Sequence, residues 1–139
     1  MLGPIEVVGG GPSPGSDPGL FDAACASGVA VGTFVRLTGN PGPEVEAADA
    51  YLTAKIPSIG VVESKTSPTA CKVRTLGSTA VFAGLTPGKV YWLNAAGAVA
   101  PNPPVAVLGT IRYAQTVGYA LDATTMMVDI NPVVRGFDR

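Results

Sequence analysis

The chain reads as an all-β protein, a small sandwich or barrel, and three observations predict that class. Short apolar stretches with period-two alternation recur along it. Clusters of Gly, Pro and Asn punctuate them at regular intervals, and helix signals are scarce. Val and Ala dominate the apolar set, and such side chains suit a thin, tightly packed sheet-on-sheet core.

The elements follow in order. Residues 1–19 are rich in Gly and Pro from Gly9 onward and read as an extended arm, with a single β-domain over 20–139. The first eight residues differ from the rest of the arm. Leu2, Ile5, Val7 and Val8 form an apolar tip suited to binding a partner's sheet edge or groove. Val29 to Leu37 alternates as a half-buried strand, and Asn40-Pro41-Gly42-Pro43 is a turn. Glu44–Ala47, Ile59–Glu63 and Thr69–Thr75 are strands. In the last, Cys71 and Val73 point one way and Lys72 and Arg74 the other. Strands are also expected over Thr79–Phe82, Lys89–Leu93, Gln115–Leu121 and Thr125–Ile130. Phe21–Ser27 and Ala47–Ala54 could hold a turn or two of helix, but both are short and lack strong caps.

A weak internal repeat divides the domain. Gly32-Thr33-Phe34-Val35-Arg36-Leu37 matches Gly88-Lys89-Val90-Tyr91-Trp92-Leu93. Ile59-Gly60-Val61-Val62-Glu63 matches Val117-Gly118-Tyr119-Ala120-Leu121. Each half places one Gly before a strand and another inside a later strand, where Gly marks a bulge or a close backbone approach. Two similar β-units with pseudo-twofold packing are expected.

Composition narrows the function. A chain of 139 residues can hold a core without metals or disulfides. Charged residues make up 14 % of it, where about 25 % is usual. Two accounts of the shortfall stay open: a surface covered by copies or a partner, or a neutral surface rich in Thr, Ser and Ala. Net charge is −1 and the basic residues are scattered, so no nucleic-acid stripe forms. No apolar run approaches a membrane span, and the N-terminus lacks the pattern of a secretory signal.

No catalytic site is expected, and no metal or cofactor. Histidine is absent, which removes Ser-His-Asp, Cys-His and the usual His-containing metal arrangements. Cys25 and Cys71 have no neighbouring base to activate them; a disulfide between them stays open, and buried free thiols are the commoner fate of such a pair. Glu44 with Glu46, and Asp122 with Asp129, are carboxylates at turns and strand ends, where charges are mostly solvated. Gly9-Gly10-Gly11 leads into Pro12 rather than a helix, so it is no phosphate loop. Tyr91 and Trp92 are adjacent in one strand and therefore point to opposite faces. One ring fills the core and the other suits an interface. Tyr113 and Tyr119 could extend a carbohydrate platform if their rings shared a face with it.

The second half carries a pattern that resembles a known module. Its residues are Leu85-Thr86-Pro87-Gly88-Lys89-Val90-Tyr91-Trp92-Leu93, Gly97-Ala98-Val99, Asn102-Pro103-Pro104, Gln115 to Leu121 and Thr124 to Ile130. Over about residues 84–130 it is similar to capsid decoration (cement) proteins and head or tail fibre proteins of tailed phages. The resemblance implies a small β-barrel or β-tulip-like domain, often trimeric. It implies a decoration protein on the outer capsid surface of the virion, made in the host cytoplasm and bound to the major capsid protein and to its own copies. It also implies an N-terminal arm that clasps capsid subunits. The alternative is a fibre or spike domain that binds a host receptor or glycan.

Overall fold

The computed structural model describes residues 17–105, 111–131 and 135–137. Twelve strands are present among them: β1 Leu20–Cys25, β2 Phe34–Leu37, β3 Glu44–Ala47, β4 Gly60–Ser67, β5 Ala70–Arg74, β6 Leu76–Thr79, β7 Val90–Leu93, β8 Val99–Ala100, β9 Arg112–Ala114, β10 Thr116–Ala120, β11 Met126–Asp129 and β12 Arg135–Phe137. Two 3-10 turns, Thr53–Lys55 and Ala95–Gly97, are the only helical pieces among the described residues. The all-β expectation holds.

The first five strands close into a barrel in the order β1-β3-β2-β4-β5, sealed by a parallel pairing of β1 with β3. The next set forms an open sheet, β6-β11-β10-β7-β8. β9 and β12 make a separate antiparallel pair.

The repeat is visible in the pairing itself. Read from one end, the barrel runs β3-β2-β4-β5-β1 and the sheet runs β8-β7-β10-β11-β6, so each strand of the first unit has a counterpart in the second. Register agrees as well. Val35 faces Gly60 where Tyr91 faces Gly118, and Phe34 faces Val61 where Val90 faces Tyr119. Leu37 faces Val45 where Leu93 faces Val99. Gly32 and Gly88 both adopt positive φ, 90° and 83°, at the same bend. Each donates its N–H to the counterpart carbonyl, Val62 O and Ala120 O, at 2.8 Å in both cases.

The two units diverge at one place. β3 has four residues and reaches β1, with Ala24 beside Glu44 and Cys25 beside Val45. Its counterpart β8 has two residues and is followed by Pro101, Pro103 and Pro104. Proline has no N–H to extend a ladder. Among the described residues no strand joins β8 to β6, and the second unit stays open.

That opening decides how the units pack. The barrel interior holds Ala23, Cys25, Val29, Val35, Val45, Val62, Cys71 and Val73. A second cluster joins Phe34, Ala48, Ala50 and Val61, from outside the barrel, to Leu85, Tyr91, Leu93, Val117, Ala120, Met126 and Val128 on the inner side of the open sheet. Phe34 stacks on Phe82 with ring centroids 6.0 Å apart. The barrel's outer face thus fills the open unit. Contact is outer face to inner face, which corrects the expected pseudo-twofold packing: like faces do not meet. A buried polar clamp ties the units together. Ser58 N–H donates to Gln115 Oε1 and Gln115 Nε2 donates to Ser58 O, each at 2.9 Å.

Several local expectations need correction. Phe21–Ser27 is not helical: residues 20–24 pair with β5 and Ala24 and Cys25 with β3, and the strand buries Ala23 and Cys25 on alternate positions. Ala47–Ala54 gives only the end of β3 before the 3-10 turn at Thr53–Lys55. The strand expected over Val29–Leu37 shrinks to Phe34–Leu37, because Gly32 bends the chain ahead of it. The strand placed at Thr79–Phe82 lies at Leu76–Thr79. Residues 1–16 of the expected arm lie outside the described residues. Asp17–Gly19 is already fixed to the body, with Arg74 Nη1 donating to Asp17 Oδ2 at 2.8 Å and Thr75 N–H to Gly19 O at 2.7 Å.

Arg74 also grips Glu63 through Nε at 2.7 Å and Nη2 at 3.1 Å. The guanidinium holds the carboxyls of Glu63 and Asp17 below their ordinary values of 4.5 and 3.8. A depressed carboxylate stabilises the fold above its unfolded pKa, and that contribution is lost as pH falls through the folded value. Stability should therefore fall below about pH 4.5. Urea midpoints for Arg74→Met, measured from pH 7 down to 3, should fall less steeply over that window than those of the parent.

Candidate interaction surface

Glu44, Glu46, Asp122 and the two cysteines each sit in structural contacts. Glu44 accepts from Asn40 Nδ2 and from Thr38 Oγ1, and these bonds hold its carboxyl below the usual range. Glu46 pairs with Lys55 at 2.6 Å and with Arg36, and its carboxyl is lowered in the same way. Asp122 accepts from the backbone N–H groups of Thr124 and Thr125, which lower its pKa and fix the β10–β11 turn. Cys25 and Cys71 are buried free thiols inside the barrel. Burial, then the adjacent Cys25, pushes the Cys71 thiol up to about 11, so it stays protonated and unreactive at neutral pH. Among the described residues no group of three His, Cys, Asp or Glu could hold a metal ion. No helix among them is long and apolar enough to cross a membrane.

What remains is a surface. Tyr91 is 4 % exposed, lies in the core between the units, and accepts a hydrogen bond from Thr86 N–H at 2.8 Å. Alternation along β7 turns Val90 and Trp92 the other way. The pairing register then lines up Val90, Tyr119, Met127 and Ser78 across four strands on the outer side of the open sheet. Trp92 sits next to them, with Ala100 on one side and Thr116 on the other. Val90 is 47 % exposed and Tyr119 41 %. The neighbouring charge on this face is Asp129, which pairs across the strands with the exposed Leu76.

The repeat gives these exposures a meaning. Phe34 and Val61, the counterparts of Val90 and Tyr119, are fully buried beneath the second unit. One position type is covered within the chain in the first unit and bare in the second.

Of the residues picked from sequence, the structure sets Trp92 on this outer face and Tyr91 behind it. Leu2, Ile5, Val7 and Val8 lie outside the described residues. Tyr113 is elsewhere, with its hydroxyl 2.7 Å from Thr53 Oγ1. Val90, Met127 and Leu76 were missed as surface candidates. Alternation could have grouped Val90 with Trp92, but nothing in the sequence says which side of a two-sided apolar strand is covered. Comparison with protein-family models, with curated proteins and with solved structures finds no match to this chain.

Proposed function

We propose that the protein is a virion structural protein that decorates the outer surface of a tailed-phage head. It would bind the major capsid protein lattice and, as a homotrimer, its own copies. The observation that carries the reading is the bare outer face of the open sheet around Val90, Trp92, Tyr119 and Met127. An apolar face of this kind marks an interaction site. The sequence pattern over residues 84–130, which resembles decoration and fibre proteins, supports the choice of partner. The arm of residues 1–19 would add grip. The mechanism is additive clamping: each copy buries apolar area at roughly 25 cal/mol per Å², association costs offset much of it, and many copies together resist outward pressure.

A double substitution, Val90→Lys with Tyr119→Lys, places two charges on the face and leaves the core clusters untouched. Co-sedimentation of the pure protein with empty capsids of its cognate major capsid protein should show stoichiometric binding for the parent and at least tenfold weaker binding for the variant. Equal binding by both would remove the face from the account. Absence of binding by the parent would remove the function.

Trp92 and Tyr119 supply two aromatic rings on one face, and that pair supports a second reading, a fibre or spike domain binding a receptor glycan. A glycan array separates the two: saturable sugar binding that Trp92→Ala abolishes favours the fibre reading.

A further inference from the structure

Among the described residues four side chains carry sulfur, and three of them are buried: Cys25 and Cys71 inside the barrel and Met126 between the units. Met127 is the fourth. It is partly exposed on the outer side of β11, directly across from Tyr119 on β10 and Ser78 on β6. It therefore lies within the row of Val90, Tyr119, Met127 and Ser78 that carries the proposed face. None of those four is charged, and Asp129 stands two positions further along β11.

The repeat shows what else this position can hold. Tyr119 faces Met127 where Val61 faces Arg74, so Met127 is the counterpart of Arg74. In the same alignment Leu121 takes the place of Glu63. The first unit has a guanidinium gripping a carboxylate where the second has a thioether and an exposed leucine. A polar group at this strand position is thus compatible with the sheet, because the side chain points away from the inner side and leaves the ladder intact. Met126 is placed differently. Its Sδ lies on the inner side of the sheet, 3.0 Å from where a Cβ on Gly118 would stand.

We infer that Met127 is an oxidation site through which peroxides turn the outer face from apolar to polar. A lone pair on Sδ attacks one oxygen of hydrogen peroxide. The S–O bond forms as the O–O bond breaks, so the sulfur is oxidised and the peroxide reduced. The proton carried over with the transferred oxygen passes to the leaving hydroxide, giving water. The product is a sulfoxide, a polar group that must be desolvated whenever the face is covered. A dithiol-dependent reductase restores the thioether, removing the oxygen as water and leaving the dithiol as a disulfide. The site itself stands on exposure and register, while its effect on a partner rests on the proposed face.

Dilute hydrogen peroxide applied to the full-length protein tests this, with Met127→Leu treated in parallel. Tandem mass spectrometry should place an added oxygen on Met127 at least tenfold faster than on Met126. Retention of the parent on a hydrophobic-interaction column should then fall relative to Met127→Leu, which carries the same Met1. The melting temperature of the oxidised parent should stay within about 2 °C of the untreated protein. In co-sedimentation, the oxidised parent should bind empty capsids at least tenfold more weakly, and treated Met127→Leu should bind as the untreated parent does. Equal oxidation of Met126 and Met127, an equal retention shift in Met127→Leu, or a collapse of the melting temperature overturns the inference. So does undiminished capsid binding by the oxidised parent. An untreated parent that binds no capsids removes the proposed function alone, and the oxidation and retention results then decide the site.

Discussion

Phe34→Ala should lower the unfolding free energy by about 3–5 kcal/mol, while Val90→Ala at the repeat-related position should change it by less than about 0.5 kcal/mol. The two residues occupy the same register, Phe34 opposite Val61 and Val90 opposite Tyr119. Their surroundings differ. Phe34 is 0 % exposed, stacks on Phe82 and joins the cluster between the units. Removing its ring leaves a cavity lined by side chains from both units, and tight packing limits how far they can collapse into it. Val90 is 47 % exposed, and its methyl groups lose little on truncation. Urea titrations with unchanged m-values measure both. Similar losses at the two positions would mean that the units do not pack outer face to inner face.

Gly60→Ala and Gly118→Ala should each cost roughly 1–3 kcal/mol, and Gly28→Ala should be neutral or slightly stabilising. A Cβ at Gly60 would lie 2.5 Å from Arg74 O and 2.8 Å from Val73 Cγ1. At Gly118 it would lie 2.3 Å from Met127 O. Both clashes involve backbone of the adjoining strand, β5 in one unit and the matching β11 in the other, so neither can be relieved by a rotamer change. At Gly28 a Cβ meets nothing within 4 Å. There the main effect is the reduced freedom of the unfolded chain. Thermal melts of the three variants give the comparison, and a Gly118→Ala protein as stable as Gly28→Ala would contradict the close strand approach.

The repeat was legible because glycines carry it. Gly32 and Gly88 mark the bend, Gly60 and Gly118 the close approach, and their spacing survives changes in the other side chains. The first strand was not legible. Leu20–Cys25 is short and rich in small residues, and its pairing with β5, about fifty residues further along the chain, decides its form. The strands β8, β9 and β12 have two or three residues each, too few for a periodic pattern. The opposite orientation of Tyr91 and Trp92 followed from alternation, but which ring meets the core depends on where the barrel docks. The same docking covers Phe34 and leaves Val90 bare. Local sequence holds no sign of that difference, because both positions are apolar.

Imaging of the assembled particle tests the functional account most directly. The account predicts density for this chain on the outside of the head, with the face of Val90, Trp92, Tyr119 and Met127 turned toward the capsid or a neighbouring copy. Density confined to the tail tip, or a copy on the head with that face turned to solvent, would contradict it.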